Sequence, residues 1–76
     1  MMDMDANTST PPYIELNNFI KVKGLAPTGG QAKLLIRSGR VLLNKLVETR
    51  NRKKLYVGDV VSVDGKDYVV EEKVVR

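Results

Sequence analysis

The 76-residue chain contains no cysteine and no histidine. Without cysteine it can form neither disulfide bonds nor thiolate metal sites, and without histidine it lacks the commonest general base and metal ligand. It also lacks an apolar run near the roughly 20 residues that a membrane-spanning helix needs. The N-terminal MMDMDANTSTPP shows neither the basic start nor the apolar stretch of a signal peptide. We therefore expect one small, soluble, intracellular domain.

Acidic residues are nearly missing from the middle of the chain. Between Ile20 and Gly58 there are ten Lys or Arg residues and one acid, Glu48, a net charge of +9. The rest of the chain has three basic and eight acidic residues, a net charge of −5. Because a solvated surface usually mixes its signs, this cationic segment indicates a polyanionic partner, with nucleic acid ahead of an anionic membrane surface.

The first helix is predicted behind a polar tail. Residues 1–13 are rich in Asn, Thr and Ser and can bury too little apolar surface to offset their ordering entropy, so we predict a disordered N-terminal tail. In the following YIELNNFIKVKG, Leu16, Phe19 and Ile20 recur at helical spacing and would share one face. Gly24 is the natural left-handed terminator of this helix.

A second helix is expected to begin at a capping box. Thr28 is the N-cap candidate, and the side chain of Gln31 can reach back to the Thr28 amide. Ala32, Leu35 and Ile36 then cluster on one face of this helix, which predicts that this face packs on the core.

After Gly39 the pattern changes to that of short strands. RVLLNKLVET predicts two strands with a bend at Asn44-Lys45, followed by the basic connector RNRKK. LYVGDVVSVDGKDYVVEE predicts a hairpin that turns at Asp64-Gly65, which pairs Val61 with Tyr68.

These elements define the predicted fold class and domain organisation. We predict an α+β domain of two packed N-terminal helices followed by a small, mostly antiparallel sheet of about four short strands. The domain is expected at residues 14–72, with residues 73–76 as a C-terminal tail.

The sequence contains no motif that indicates a catalytic site. The glycine pair before Lys33 does not fit G-x-x-x-x-G-K-[ST], which needs Ser or Thr after the lysine and a buried strand ahead of the loop. The possible carboxylate pairs, Asp64 with Asp67 and Glu71 with Glu72, have no apolar cleft that would raise a pKa. We predict no enzymatic activity, no metal site, no cofactor and no small-molecule substrate.

The basic residues instead suggest a binding surface on the second helix. Lys33 and Arg37 are spaced i and i+4 and form a stripe beside the apolar face, while Leu34 points away from that face. The free amides of Gly29 and Gly30 could bind a phosphate. With three Tyr and one Phe, the chain has too few rings for a platform that stacks single-stranded bases, so recognition of folded RNA fits better.

The sequence resembles the S-four-like RNA-binding domain, named after small-subunit ribosomal protein four. The resemblance lies in KVKGLAPTGGQAKLLIRSGRVLLN, ETRNRKKL and GDVVSV, and it covers about residues 14–64. The chain looks most like the short members in which this domain is nearly the whole protein. The resemblance implies binding to structured RNA, often ribosomal RNA or ribosomal particles, in the bacterial cytoplasm or in an organellar stroma or matrix.

The resemblance also implies which residues contact RNA, on the two helices, the adjoining hairpin loop and the connector. These residues are Lys21, Lys23, Thr28, Gln31, Lys33, Arg37, Arg40, Arg50, Arg52 and Lys53. Two departures stand out. The family usually has Asn-Gly where this chain has Asn44-Lys45, which predicts a different or wider turn, and Leu34 takes a place often held by a basic residue.

Two alternatives to RNA binding stay open. The chain could be a protein-interaction module or assembly factor, in which the cations meet an acidic protein and the C-terminal hairpin offers a strand edge. DNA binding shares the same electrostatics.

Overall fold

The computed structural model describes residues 11–75 and has the predicted α+β fold. The predicted disordered tail therefore lies largely outside the described residues. In chain order the elements are β1 (Ile14–Glu15), α1 (Leu16–Val22), α2 (Gly29–Arg37), β2 (Val41–Leu43), β3 (Leu46–Val47), β4 (Lys54–Leu55), β5 (Val60–Val63), β6 (Lys66–Val69) and a 3-10 helix (Glu72–Val74).

The apolar face predicted for α1 forms the centre of the core. Leu16, Phe19 and Ile20 are fully buried, as their helical spacing indicates. At the end of the helix the Lys23 amide donates to Phe19 O at 3.0 Å and the Gly24 amide donates to Lys21 O at 2.9 Å. The φ of +74° at Gly24 confirms the predicted left-handed terminator.

The start predicted for α2 is confirmed. The backbone N–H of Gln31 donates to Thr28 Oγ1 at 3.2 Å, which is the forward half of the capping box. The return bond from the Gln31 side chain is absent from residues 11–75. Ala32 and Ile36 are fully buried, so the helix packs against α1 through the predicted face.

Four antiparallel strands form the main sheet, in the order β3-β2-β5-β6. The turn at Asp64-Gly65 has positive φ at both residues, and Val61 pairs with Tyr68 as predicted. This register turns Val61 and Val63 toward the helices, where both are buried.

A second sheet, of two strands, was not predicted. β1 pairs with β4 in antiparallel fashion, Ile14 opposite Leu55 and Glu15 opposite Lys54. Strands of two residues leave no periodic pattern in a sequence. The pairing is held by burial, because Leu55 is fully buried and Ile14 is 8% exposed. The connector predicted as RNRKK therefore ends inside a strand that joins the core.

The C-terminal residues also contact the domain. Residues 73–75, which the sequence assigns to a tail, include the end of the 3-10 helix. Val74 and Val75 are partly buried and pack against the hydrophobic core. The packed domain therefore extends at least to residue 75.

The turn between β2 and β3 is not widened by its lysine. Leu43 pairs with Leu46, so only Asn44 and Lys45 lie in the loop, with φ of +51° and +74°. Positive φ at both central residues is typical of the tight type I′ hairpin turn. Asn44 tolerates this conformation and its Oδ1 accepts from Val60 N at 3.0 Å. The expectation of a wider turn is therefore wrong.

We predict that Lys45→Gly stabilises the protein by about 0.5–1 kcal/mol. Glycine removes the left-handed strain of about 1–2 kcal/mol at this position, and its larger unfolded-state entropy returns part of that gain. Urea unfolding followed by circular dichroism measures the change. Lys66→Gly in β6, where φ is not positive, is the matched control and should destabilise the domain. Equal losses in both variants would show that Lys45 is not strained.

Candidate nucleic-acid interface

The amino terminus of α2 meets the end of α1. A Cβ atom built on Gly29 would lie 3.9 Å from Lys21 Nζ, so the ammonium of α1 stands beside the first turn of α2. Nothing lies within 4 Å of a Cβ placed on Gly30. The free amides of a helix amino terminus carry partial positive charge, and the neighbouring lysine adds a full one. This end of the helix is open and strongly cationic.

Lys33 and Arg37 continue this positive surface along α2. Both side chains are exposed, and neither has a carboxylate within 4.0 Å among residues 11–75. Lys23 is half-buried, with its Nζ 5.6 Å from the centre of the Phe19 ring. Because Ala32 and Ile36 on the neighbouring face of α2 are buried, the helix is oriented with the predicted stripe of Lys33 and Arg37 at the protein surface.

Three of the predicted RNA contacts are arginines that already hold a carboxylate. Arg40 Nη2 lies 2.6 Å from Asp64 Oδ2, and Arg40 Nε donates to Asp64 Oδ1 at 3.2 Å. Arg52 Nε lies 3.2 Å from Glu15 Oε2. These bonds join the end of α2 to the β5–β6 turn, and the connector to β1. A guanidinium has five N–H donors, so each arginine keeps donors for a second acceptor.

Arg50 is held by Glu48, the one acid in the cationic segment. Arg50 Nε and Nη2 donate to the two carboxylate oxygens at 2.9 and 3.2 Å, and the Arg50 amide donates to Oε2 at 3.0 Å. These hydrogen bonds outweigh desolvation and lower the pKa of Glu48 below its ordinary value of 4.5, while Glu48 raises the pKa of Arg50. Glu48 therefore fixes the start of the connector, a role that sequence reasoning missed.

The connector docks on the opposite end of α1 from Lys21. Leu16 N donates to Lys53 O at 2.8 Å and Asn17 N donates to Asn51 O at 3.0 Å. These carbonyls satisfy first-turn amides that the N-cap residue Glu15 leaves without a side-chain acceptor.

The ten predicted residues consequently fall into separate groups. The helical group gathers at the α1–α2 junction and along α2, and it comprises Lys21, Lys23, Thr28, Gln31, Lys33 and Arg37. The connector group of Arg50, Arg52 and Lys53 lies at the start of α1, which is seven residues or roughly 10 Å away from its end. Arg40 stands apart from both, against the β5–β6 turn.

An aromatic contact beside the connector was also missed. Lys54 Nζ lies 4.8 Å from the centre of the Tyr13 ring, and that ring lies 6.3 Å from the ring of Tyr56. Tyr13, assigned from sequence to the tail, thus contacts the connector. No residue spacing signals this contact, because the partners are about 40 positions apart in the chain.

The described residues contain neither a metal-binding cluster nor a membrane-spanning helix. Among the described residues, no group of three or more Asp or Glu side chains could hold a metal ion. No helix in that part of the chain is long and apolar enough to cross a membrane.

Comparison with known proteins identifies the class of this domain. The family model described as S4 domain matches residues 7–71. Since this match covers more than half of the chain, the protein belongs to the S4-domain family, and the resemblance seen in the sequence is confirmed.

Individual relatives share most of their length with this chain. YbcJ of Escherichia coli strain K12, provisionally named as an RNA-binding protein, is 41% identical over 54 residues, which cover 71% of this chain and 77% of YbcJ. RlbA of Bacillus subtilis strain 168, provisionally named as a ribosome maturation protein, is 40% identical over 52 residues, which cover 68% of this chain and 73% of RlbA.

A solved structure supports the fold as well. The solution structure of Escherichia coli YbcJ aligns with a TM-score of 0.61 and 37% identity, over 82% of this chain and 78% of that one. That structure is described as revealing an ALFAL motif involved in RNA binding.

We predict that Glu48 contributes to the acid sensitivity of the fold. The pKa of Glu48 is lower in the folded protein than in the unfolded protein. The ionised carboxylate therefore stabilises the fold above about pH 4.5, and this stabilisation is lost as the pH falls through the pKa of Glu48 in the folded protein. In Glu48→Gln, the free energy of unfolding should fall less steeply with acid below pH 4.5 than in the wild type. Urea unfolding at a series of pH values measures this slope.

The matched control is Glu72→Gln, which removes an exposed carboxylate with no ion pair among residues 11–75. It should retain the wild-type acid slope. If Glu48→Gln and Glu72→Gln gave the same slope as the wild type, the Arg50–Glu48 contact would not form in solution.

Proposed function

We propose that this protein is a non-catalytic RNA-binding module that recognises structured RNA, specifically ribosomal RNA or its precursors. The observation that carries the proposal is the helical group, in which Lys21 lies beside the open amino end of α2 and Lys33 and Arg37 follow along the exposed side of that helix. Phosphate groups suit such a surface, since helix amides and cations both attract them. Membership of the S4-domain family supports it further.

The distribution of charge favours RNA backbone as the partner. The lysines and arginine of the helical group lack carboxylate partners among the described residues, so no ion pair within residues 11–75 has to break when phosphate binds there. The connector group, by contrast, is partly neutralised by Glu48 and Glu15. We therefore assign the main phosphate contacts to the helical group and a secondary role to Arg50, Arg52 and Lys53.

The carboxylates support a non-catalytic role because they are engaged in structural contacts. Asp59 accepts from Tyr56 N at 2.8 Å and from Asn44 Nδ2 at 3.2 Å. Asp67 Oδ1 accepts from Ser62 Oγ at 2.6 Å, and Asp64 holds Arg40. Each of these acids stabilises a turn or strand pair, which leaves it poorly suited to move a proton for a substrate.

Ribosomal RNA is the proposed target because relatives point in that direction. The name of RlbA associates it with ribosome maturation, and that of YbcJ with RNA binding. We accordingly place the protein on ribosomal particles or their precursors, in a bacterial cytoplasm or an organellar matrix.

A protein-interaction role is the second candidate, favoured by the exposed edge strand β3. Leu46 and Val47 are 74% and 60% exposed, and β3 pairs on one side only. An extended peptide could add to this edge. Pull-down with and without ribonuclease separates the two roles, since a direct protein partner survives the nuclease.

We predict that Lys33→Ala combined with Arg37→Ala weakens binding to a folded ribosomal RNA fragment. If the wild type contacts five or six phosphates, log K should fall with log salt at a slope of about −4 to −5, and losing two contacts should make that slope about 2 units shallower. Filter binding between 50 and 300 mM salt measures both quantities. Alanine has a high helix propensity, so the double variant should remain folded, which its circular dichroism spectrum verifies.

The double variant is compared with Lys66→Ala, which removes one exposed cation from β6. Lys66→Ala should leave the salt slope unchanged, and duplex DNA at matched salt should bind more weakly than the RNA. Unchanged RNA affinity in the double variant would contradict the proposal.

A further inference from the structure

A groove lies on the side of α2 away from Lys33 and Arg37. It has a volume of about 440 Å³ and runs between α2 and the β5–β6 turn. Its apolar floor and polar rim are formed mainly by Leu34, Leu35, Val63, Gln31, Arg40 and Asp64.

Leu34 connects this groove to the basic stripe. At about 100° per residue, Leu34 lies between Arg37 on one side and Gln31 on the other, on the solvent face of α2. Its side chain is 70% exposed, whereas five of the other seven leucines are buried in the core or pack against it. An apolar side chain thus sits at the border between the phosphate-binding stripe and the groove.

The electrostatics of the groove disfavour phosphate as its occupant. Arg40 is the one cation among residues 11–75 that lines it, and the bidentate contact with Asp64 at 2.6 and 3.2 Å offsets that charge. A phosphate placed here would meet the Asp64 carboxylate. A neutral ring with apolar faces and polar edges suits this lining better.

The polar groups of the rim differ in their availability. Ser38 Oγ already donates to Leu35 O at 2.6 Å and accepts from Arg40 N at 3.4 Å. The Gln31 side chain makes no hydrogen bond within residues 11–75, since it is the Gln31 backbone that bonds to Thr28. Its amide therefore has a donor and an acceptor to offer to a base edge.

We propose that this groove receives one unstacked base of the bound RNA, packed on Leu34 and Leu35, while the adjoining phosphates bind Lys33 and Arg37. The inference rests on the proposed RNA-binding function and adds a base subsite to it. Structured RNA supplies such bases at bulges and loops, where they can be splayed from the helix. The domain would then prefer a duplex interrupted by an unpaired nucleotide over a continuous one.

The test uses three RNA hairpins that differ at one position: a bulged adenosine, an abasic site at the same bulge, and a fully paired stem. The wild type should bind the bulged hairpin about fivefold more tightly than the other two, the factor expected from burying roughly 40 Å² of apolar surface. Leu34→Ala should remove this difference. Because Leu34 is exposed, the variant should fold like the wild type, which its urea unfolding curve verifies.

Val69→Ala, on the outer surface of β6, is the control for loss of an exposed apolar side chain, and it should preserve the preference. Equal affinity of the wild type for all three RNAs would overturn the base subsite, as would an equal loss on all three with Leu34→Ala. In both cases the salt-dependent binding through Lys33 and Arg37 would still stand. Failure of the wild type to bind any folded RNA would instead overturn the proposed function itself.

Discussion

Docking of the connector on the first turn of α1 is the contact on which the rest of this domain depends. An isolated helix of seven residues is not stable in water, and α1 has no side-chain cap at Glu15. The amides of Leu16 and Asn17 donate hydrogen bonds to the carbonyls of Lys53 and Asn51. The adjacent β1–β4 pair buries Leu55. One segment thereby completes the helix, anchors the core and joins the helices to the sheet.

The same contact decides how the positive charge is distributed. It holds the connector cations at the start of α1, while the junction with α2 holds Lys21 at the other end. Carboxylates neutralise much of the first group and leave the second open among the described residues. The chain therefore has a strong positive surface along α2 and a weaker, structurally occupied one beside β4.

The parts of the fold that were predicted correctly are those determined by interactions between residues close together in the sequence. The cap at Thr28, the buried face of α1 and the Val61–Tyr68 register all follow from residues within eight positions of one another. The stripe on α2 followed from the same periodicity. The sequence alone therefore predicts the two helices, the C-terminal hairpin and the fold class.

Apart from Arg50–Glu48, the contacts that sequence reasoning missed join residues far apart in the chain. Arg40 and Asp64 are 24 positions apart, and Arg52 and Glu15 are 37 apart. No periodicity reports such pairs, and a two-residue strand such as β4 leaves no pattern of its own. Counting cations in the sequence consequently treated Arg40, Arg50 and Arg52 as equal to Lys33, whereas the structure distinguishes them by their partners.

Binding of RNA through the helical group can be followed residue by residue in an NMR titration. A folded ribosomal RNA fragment would be added to the ¹⁵N-labelled full chain and amide shifts followed residue by residue. Binding through this group should produce the largest changes at Gly29, Gly30, Lys33 and Arg37, with β6 unchanged. Changes confined to the exposed strand edges, or none at any RNA concentration, would contradict it.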